Sequence, residues 1–235
     1  MDEFPSFDDP RVAPRFCRRP SGDADLTLVG VVHDHPASVG RVEAVLDAVR
    51  PDVLALELPP AAVPLYRAYA REEPRFGGEM SAAIRAAPGA EVAGIDAPSW
   101  SFLRRLLARL LADRVPPSTA RRVLASLGGA TRTALACRVA ATLTHATSMT
   151  VAFDDPVDYE CTRADPPERQ AAHERAHVAG VAALLGGAES SALAYRDETR
   201  ERCMIDRLTS LRSAGSVVAV VGVDHLDALE AALAD

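Results

Sequence analysis

Four short, mainly apolar segments along the chain predict the strands of one sheet. They cover residues 25–32, 53–57, 91–96 and 216–221, and charged or turn-forming residues lie beside them. Nearly continuous apolar runs of this length are typical of strands that are buried on both faces, as in a parallel sheet. The first two are separated by about the length that a helical crossover between parallel strands requires.

The segments between the strands show the apolar periodicity of α-helices. Helices with this pattern are predicted at about 38–50, 61–73, 79–87, 168–186, 190–213 and 226–233. Ser38 is the expected N-cap of the first of them, because a hydroxyl can accept a hydrogen bond from the first free backbone N–H groups.

The order of these elements predicts an α/β fold. We expect a central, mainly parallel or mixed sheet flanked by helices, with residues 1–235 forming one domain. A helical insertion is predicted at 99–190, between the third strand and the last. Within it, the acidic and Pro-rich segment 154–168 is expected to be an exposed loop.

The first and last strands end in the same sequence pattern. Gly30 precedes His33 and Gly222 precedes His225, each as Gly-x-x-His after an apolar run. Each glycine allows a close backbone approach or a positive φ before the imidazole. Because ligands of α/β proteins bind outside the carboxyl ends of the strands, two imidazoles there indicate a site.

A carboxylate is predicted at the same edge, because Glu57 closes the second strand. Two neutral imidazoles and a carboxylate are a ligand set suited to zinc, manganese, cobalt or iron. A metal ion held by His33, Glu57 and His225 would activate a water molecule and polarise a carbonyl group.

Other polar residues near the ends of the predicted strands have more than one interpretation. Asp34 and Asp224 are either hydrogen-bond acceptors for the two imidazoles or solvated loop acids. His35 is interpreted as a loop residue or a partner of the site. Asp96, at the end of the third strand, either reaches the site or caps the following helix.

Composition narrows the classes of partner. The net charge of −7 argues against nucleic acid, which requires positive surface. The sequence contains neither an apolar run of about 18 residues that could span a membrane nor an apolar leader. Four scattered cysteines suggest reduced thiols in the cytoplasm. All 26 cationic residues are Arg, which indicates a GC-rich genome and suits a high-salt cytoplasm such as that of a halophilic archaeon.

These motifs, in this order, resemble the TraB/PrgY family, part of a superfamily with the Tiki metalloproteases and the erythromycin-esterase-like and ChaN-like proteins. The resemblance covers about 25–100 and 195–230. It rests on Gly30-x-x-His33, Glu57-Leu58, residues 78–84 and 89–98, Arg200-Glu201-Arg202-Cys203-Met204 and Gly222-x-x-His225. The chain departs from the family pattern at Val31-Val32, where small or Thr residues are usual, and at Glu201, where Asp is usual.

The resemblance implies a hydrolase or peptidase that depends on a divalent metal ion such as Mn, Co or Zn. It assigns His33, Glu57 and His225 as ligands or catalytic groups, and Glu79 as a further carboxylate of the site. Glu57 or Glu79 would move protons. Arg200 would stabilise an oxyanion or bind a substrate carboxylate. The expected substrate is a peptide or a small molecule with an ester or peptide-like carbonyl, and a homo-oligomer is compatible with the sequence.

A second motif offers a competing site. His173-Glu174-Arg175-Ala176-His177 matches His-Glu-x-x-His, in which two imidazoles on one helix face bind zinc and the carboxylate is the general base. Arg175 and the polar residues before the motif predict an exposed helix turn. A third ligand is not obvious, though Glu189 or Glu198 could serve.

Three functions therefore stay open. The first is the metal-dependent hydrolase of TraB type. The second is a regulatory or small-ligand-binding protein on the same fold, for instance one that binds haem, without catalysis. The third is a zincin-type protease at His173-Glu174-x-x-His177.

Overall fold

The computed structural model describes residues 7–20, 25–71, 76–97, 100–121, 123, 157–185 and 191–234. The strands are β1 (Cys17–Arg18), β2 (Leu26–Val31), β3 (Val53–Leu56), β4 (Glu91–Gly94) and β5 (Val217–Gly222). The helices are α1 (Pro36–Val49), α2 (Val63–Tyr69), α3 (Gly78–Ala86), α4 (Trp100–Ala112), α5 (Pro167–Leu185), α6 (Ser191–Leu211) and α7 (Leu226–Leu233). Short 3-10 turns occupy Arg212–Ala214 and Val223–His225.

The strands form one mixed sheet in the order β1-β2-β5-β3-β4. Strands β2, β5, β3 and β4 are parallel, and β1 runs antiparallel to β2 at the edge. The α/β class is confirmed, and each predicted strand is found within two residues at each end. Strand β1 was not predicted, because two residues are too few to show an alternating pattern.

The register brings the carboxyl ends of three strands together. Strand β5 lies between β2 and β3, with Val31 opposite Gly222 and Leu56 opposite Val220. Neighbouring strands lie about 4.8 Å apart, so residues that follow these positions share one edge of the sheet. His33, Glu57 and His225 follow the ends of these strands.

The sheet is buried on both faces, as the apolar runs predict. Alternate strand residues, among them Val29, Leu54 and Val218, pack on one face against residues of α1, α2 and α3. The other set, including Leu28 and Ala219, packs against residues of α6 and α7. Side chains alternate between the faces of a strand, so two layers of helices require apolar residues at both positions.

Helix α1 begins earlier than predicted. His35, not Ser38, is the N-cap: its Nδ1 accepts a hydrogen bond from the N–H of Ala37 at 3.1 Å. Pro36 is well suited to the first helical turn, since its missing N–H would have no partner there. Ser38 lies inside the helix, where its hydroxyl accepts the N–H of Val32 at 2.8 Å.

Part of the predicted insertion is described. Helix α4 buries Phe102, Leu106 and Leu110 with Val123 in a small core of its own. Residues 157–166 are non-helical and lead into α5, as predicted for the acidic loop, whose residues 154–156 lie outside the described residues. Residues 124–156 and 186–190 of the insertion also lie outside them. In the described part of the chain, every helix is too short or too polar to cross a membrane.

Candidate functional site

Seven polar side chains gather where β2, β5 and β3 end, and we call them the edge cluster: His33, Glu57, Glu79, Asp96, Arg200, Glu201 and His225. The loop ends supply His33, Glu57, Asp96 and His225, while α3 supplies Glu79 and α6 supplies Arg200 and Glu201. The cluster contains every residue that the sequence assigned to the site.

The first pair in the edge cluster joins His33 to Glu79. Nδ1 of His33 lies 2.6 Å from Oε1 of Glu79, and the other carboxylate oxygen accepts the N–H of Asp34 at 2.9 Å. The Glu79 side chain is 2 % exposed, whereas that of His33 is 61 % exposed. The hydrogen bond to Glu79 raises the pKa of His33 to about 9, and the charge of Glu57 adds to the effect.

The second group is centred on Glu57. One oxygen accepts from Nη2 of Arg200 at 2.7 Å, and the other accepts the N–H of Gly222 at 2.5 Å. Burial alone would raise the pKa of Glu57, but His225, Arg200 and the Gly222 amide lower it to about 2. Glu57 is therefore an anion at any physiological pH.

Arg200 is held by carboxylates on several sides. Its Nε and Nη2 donate to Asp96 at 2.9 and 2.8 Å, and Nη1 lies 3.5 Å from Asp197. Burial opposes the charged form, but hydrogen bonding to Asp96 and the charge of Glu57 leave the pKa of Arg200 raised. Of the two roles left open for Asp96, the structure therefore supports contact with the site.

His225 completes the cluster between two carboxylates. Its Nδ1 lies 2.9 Å from Oε1 of Glu201, and its Nε2 lies 3.4 Å from Oε1 of Glu57. Burial opposes the charged imidazole, but the contact with Glu57 outweighs it and raises the pKa of His225 to about 9. The 3-10 turn Val223–His225 carries this imidazole into a buried position.

The residues that hold the two Nδ1 atoms are not the ones the sequence singled out. Glu79 and Glu201 accept there, instead of Asp34 and Asp224. Glu201 was noted only as a departure from the family pattern. Its position next to Arg200 on a predicted helix was a weak signal, because adjacent residues of a helix point in different directions.

The edge cluster contains imidazole nitrogens and carboxylate oxygens, the donor types that divalent transition-metal ions bind. Each imidazole has Nδ1 on a carboxylate, the arrangement that commonly orients histidine ligands. Nε2 of His225 and Oε1 of Glu57 lie 3.4 Å apart, close to the separation of about 3.4 Å between two ligands of a tetrahedral ion. Across the described ranges, however, no set of three His, Cys, Asp or Glu side chains is spaced to hold an ion.

A second cluster lies deeper, behind the loop that carries His33. We call it the buried cluster: His35, Ser38, Arg41, His173 and Glu174. The carboxylate of Glu174 accepts from Ser38 Oγ at 2.5 Å and from Nη2 of Arg41. His35 Nε2 lies 2.9 Å from His173 Nδ1. His35, Arg41 and Glu174 are fully buried.

The buried cluster corrects the expectation of an exposed turn at His-Glu-x-x-His. Arg175 is exposed as predicted, but Glu174 is wholly buried in an ion pair with Arg41. The Glu174 carboxylate is shielded from solvent and already accepts hydrogen bonds from Ser38 and Arg41. Glu174 therefore acts as an anchor of α5 on α1.

His35 is a poor candidate for a metal ligand. Its Nδ1 accepts a backbone N–H, so in the neutral ring the proton sits on Nε2, the atom that faces His173. An Nε2 that carries a proton has no lone pair for a metal ion. Burial lowers the pKa of His35 to about 4, which keeps the imidazole neutral.

Comparisons of this chain with protein-family models, with curated proteins and with solved structures found no match. The resemblance to the TraB/PrgY family therefore stays a prediction from the motifs, and the fold and the geometry of the edge cluster are the basis for assigning a function.

Proposed function

We propose that this protein is a hydrolase of ester or peptide-like bonds that uses a divalent metal ion, and that its reacting centre is the edge cluster. The observation that carries the proposal is the state of His33. Its Nδ1 is held by the buried Glu79, while in the described part of the chain its Nε2 has no hydrogen-bond partner.

His33 is assigned the proton transfer. An imidazole whose Nδ1 rests on a carboxylate is fixed in orientation and presents Nε2 to a substrate. With a pKa of about 9, His33 carries its proton at neutral pH. It can therefore donate that proton to the leaving group when a carbonyl–oxygen or carbonyl–nitrogen bond breaks.

Glu57 and His225 are assigned to the metal ion. Their facing atoms have the spacing of two ligands of one ion, and each is held by a partner on its far side. A bound divalent ion supplies an activated water molecule and a polarised carbonyl group.

Arg200 and Glu79 are positioning residues in this proposal, which changes the roles that the resemblance implies for them. Arg200 has its guanidinium on Asp96, Glu57 and Asp197, so its effect on the reaction is to hold Glu57. Glu79 is buried and contacts His33 and the Asp34 backbone. It orients the proton donor without reaching a substrate.

Metal content and turnover test the proposal together. The full chain is incubated with Mn²⁺, Co²⁺ or Zn²⁺, desalted, and assayed for bound metal and for hydrolysis of p-nitrophenyl esters and fluorogenic peptides. We expect one ion per chain, lost in His225→Ala and Glu57→Gln. His33→Ala should keep the ion and lose about 100-fold or more in kcat, as expected for removal of a general acid.

His177→Ala is the matched control, because it removes an imidazole of the described chain outside the edge cluster, and it should change neither readout. If the wild-type chain binds no divalent ion, the assignment of Glu57 and His225 as metal ligands is wrong. Binding without turnover on either panel would reject the hydrolase in favour of a ligand-binding protein. Loss of metal in His33→Ala would make His33 a ligand and overturn its role as proton donor.

A further inference from the structure

The segment before α5 contacts the loop that carries His33. The hydroxyl of Tyr159 donates a hydrogen bond to the carbonyl oxygen of His33 at 2.8 Å. Its ring packs edge-on against His35, with centroids 4.7 Å apart. Two residues before it, the N–H of Val157 lies 3.3 Å from the carboxylate of Asp34. Residues 157–159 therefore contact all three residues of the loop 33–35.

This loop has an unusual backbone. Asp34 has a φ of +58°, in the left-handed region that residues with a side chain adopt only at a cost. The turn places His33 in an exposed position and His35 in a buried one. Such a conformation persists only when neighbouring groups hold it, and the contacts from Glu79, Val157 and Tyr159 do so.

The buried imidazole of the same loop is held by α5. His35 receives the Ala37 N–H on Nδ1, so its Nε2 is the donor to Nδ1 of His173 at 2.9 Å. His173 belongs to the His-Glu-x-x-His motif, which the hydrolase proposal does not use. His177, the other imidazole of that motif, contacts the Tyr159 and His35 rings but makes no hydrogen bond within the described residues.

We propose that Tyr159 and His173 are positioning residues for His33. Glu79 holds the imidazole itself, whereas Tyr159 and His173 hold the backbone that carries it, through the His33 carbonyl and through His35. The His-Glu-x-x-His helix thus serves the edge cluster as a support, with Glu174 anchoring it to Arg41 and His173 fastening the loop. The effect on catalysis rests on the proposed hydrolase; the effect on His33 does not.

The test compares Tyr159→Phe and His173→Phe with two matched controls. Tyr195→Phe removes a tyrosine hydroxyl that donates to Asp113, away from the edge cluster. His177→Phe removes the partner imidazole of the same helix. Each chain is checked for its melting temperature, and the titration of His33 is followed by NMR, with His33→Gln to assign the resonance.

We expect Tyr159→Phe to lower the His33 titration midpoint by about half a pH unit or more, because a freer loop weakens the contact with Glu79. His173→Phe should move the midpoint in the same direction, and both controls should leave it in place. Under the hydrolase proposal kcat falls about tenfold with KM unchanged, since a misplaced proton donor affects the transition state and not binding.

Folded Tyr159→Phe and His173→Phe chains with the wild-type His33 titration would overturn the inference. Equal effects of His173→Phe and His177→Phe, with loss of a bound ion in both, would overturn it in favour of a zinc centre at the motif. If the wild type proves to have no hydrolase activity, the NMR titration still decides whether Tyr159 and His173 position His33.

Discussion

The edge cluster and the buried cluster each contain His, Glu and Arg side chains, but His33 in the first and His35 in the second behave in opposite ways. His33 is exposed and has its pKa raised to about 9, while His35 is buried and has its pKa lowered to about 4. The two residues are separated only by Asp34. The difference comes from the hydrogen bond to a carboxylate at His33 and from burial at His35, whose ring contacts a backbone N–H and a second imidazole.

The two Glu–Arg pairs differ in the same way. Arg200 and Glu57 are mostly buried, with side chains 19% and 6% exposed, and they also contact Asp96 and His225. Arg41 and Glu174 are wholly buried, and Arg41 uses its remaining donors on the carbonyl groups of the chain. The proposed function places proton transfer in the edge cluster, whereas the buried pair joins α5 to α1.

The largest effect is expected from breaking the buried pair. Arg41→Met leaves the Glu174 carboxylate buried without its cation, and should lower the free energy of unfolding by about 3–5 kcal/mol. Arg200→Met should cost less, because Glu57 keeps the contact with His225 and the hydrogen bond from the Gly222 N–H. Urea denaturation of both variants measures the difference. Equal losses in the free energy of unfolding would show that the Arg41–Glu174 and Arg200–Glu57 pairs contribute equally to stability.

The acid side of the stability profile is expected to depend on His35. The pKa of His35 is lowered in the folded chain. On acidification the imidazole therefore binds a proton near pH 6.5 in the unfolded chain, but only near pH 4 in the folded chain. Stability should therefore fall by about 1–3 kcal/mol as the pH drops through this window. The titratable and charged groups that face His35 are His173, His177, Glu174, Arg41 and Tyr159.

His35→Asn isolates this contribution. Asparagine keeps the N-cap of α1 but cannot take up a proton. The variant should be less stable overall, with a flatter dependence on pH between about 6.5 and 4. Denaturation at several pH values compares the slopes, and a slope identical to that of the wild type would assign the acid transition to other groups.

A substitution between the clusters tests the loop itself. Gly78 has a φ of +43°, and a Cβ built there would overlap the carboxylate of Asp34. Gly78→Ala should therefore cost about 1–2 kcal/mol and disturb the contact between Glu79 and His33. Gly89→Ala is the matched control, because nothing lies near its Cβ. Thermal unfolding separates the two, and a neutral Gly78→Ala would show that Asp34 is not confined there.

The smallest effect on stability is expected on the alkaline side. His33 has a raised folded pKa, so its stabilising contribution is complete below about pH 6.5 and is lost as the pH rises through about 9. Glu79→Gln should remove this contribution, worth less than about 1 kcal/mol because water screens the exposed imidazole. It should also return the His33 titration toward its ordinary value.

Glu43→Gln is the control for that titration. Glu43 pairs with Arg85 and Arg163 and does not contact His33. NMR of the labelled histidines checks both variants. A His33 midpoint near 9 in Glu79→Gln would show that the carboxylate contact is not the cause of the shift.

Much of the edge cluster could be predicted from residue order alone. Apolar runs locate the parallel strands, and parallel strands present their carboxyl ends on one side, so His33, Glu57 and His225 had to share an edge. Glu79 and Arg200 were found through the resemblance. The roles of Glu79 and Arg200 were not predicted. Whether the Arg200 guanidinium faces a substrate or the carboxylates of Glu57 and Asp96 depends on the path of α6.

The buried cluster could not be predicted. Charged residues are seldom fully buried, so Arg41 on α1 and Glu174 on α5 each suggest a solvated helix face when considered separately. The two residues are separated by 133 positions in the sequence. Each can be buried only because it forms an ion pair with the other. Tyr159 left no signal either, since a tyrosine in an acidic loop has no periodic pattern.

The sequence by itself determined the four parallel strands, the α/β class and the edge of the sheet at which the polar residues gather, because these follow from local periodicity and chain direction. Only the tertiary structure decided the hydrogen-bond partners and the protonation state of each of those residues. His33 and His35 lie on either side of Asp34. The Gly-x-x-His pattern singled out His33, but the sequence did not show that one ring is protonated at neutral pH and the other is not. Their protonation is set by Glu79 and by burial beside His173, and both arise when distant helices pack on one loop.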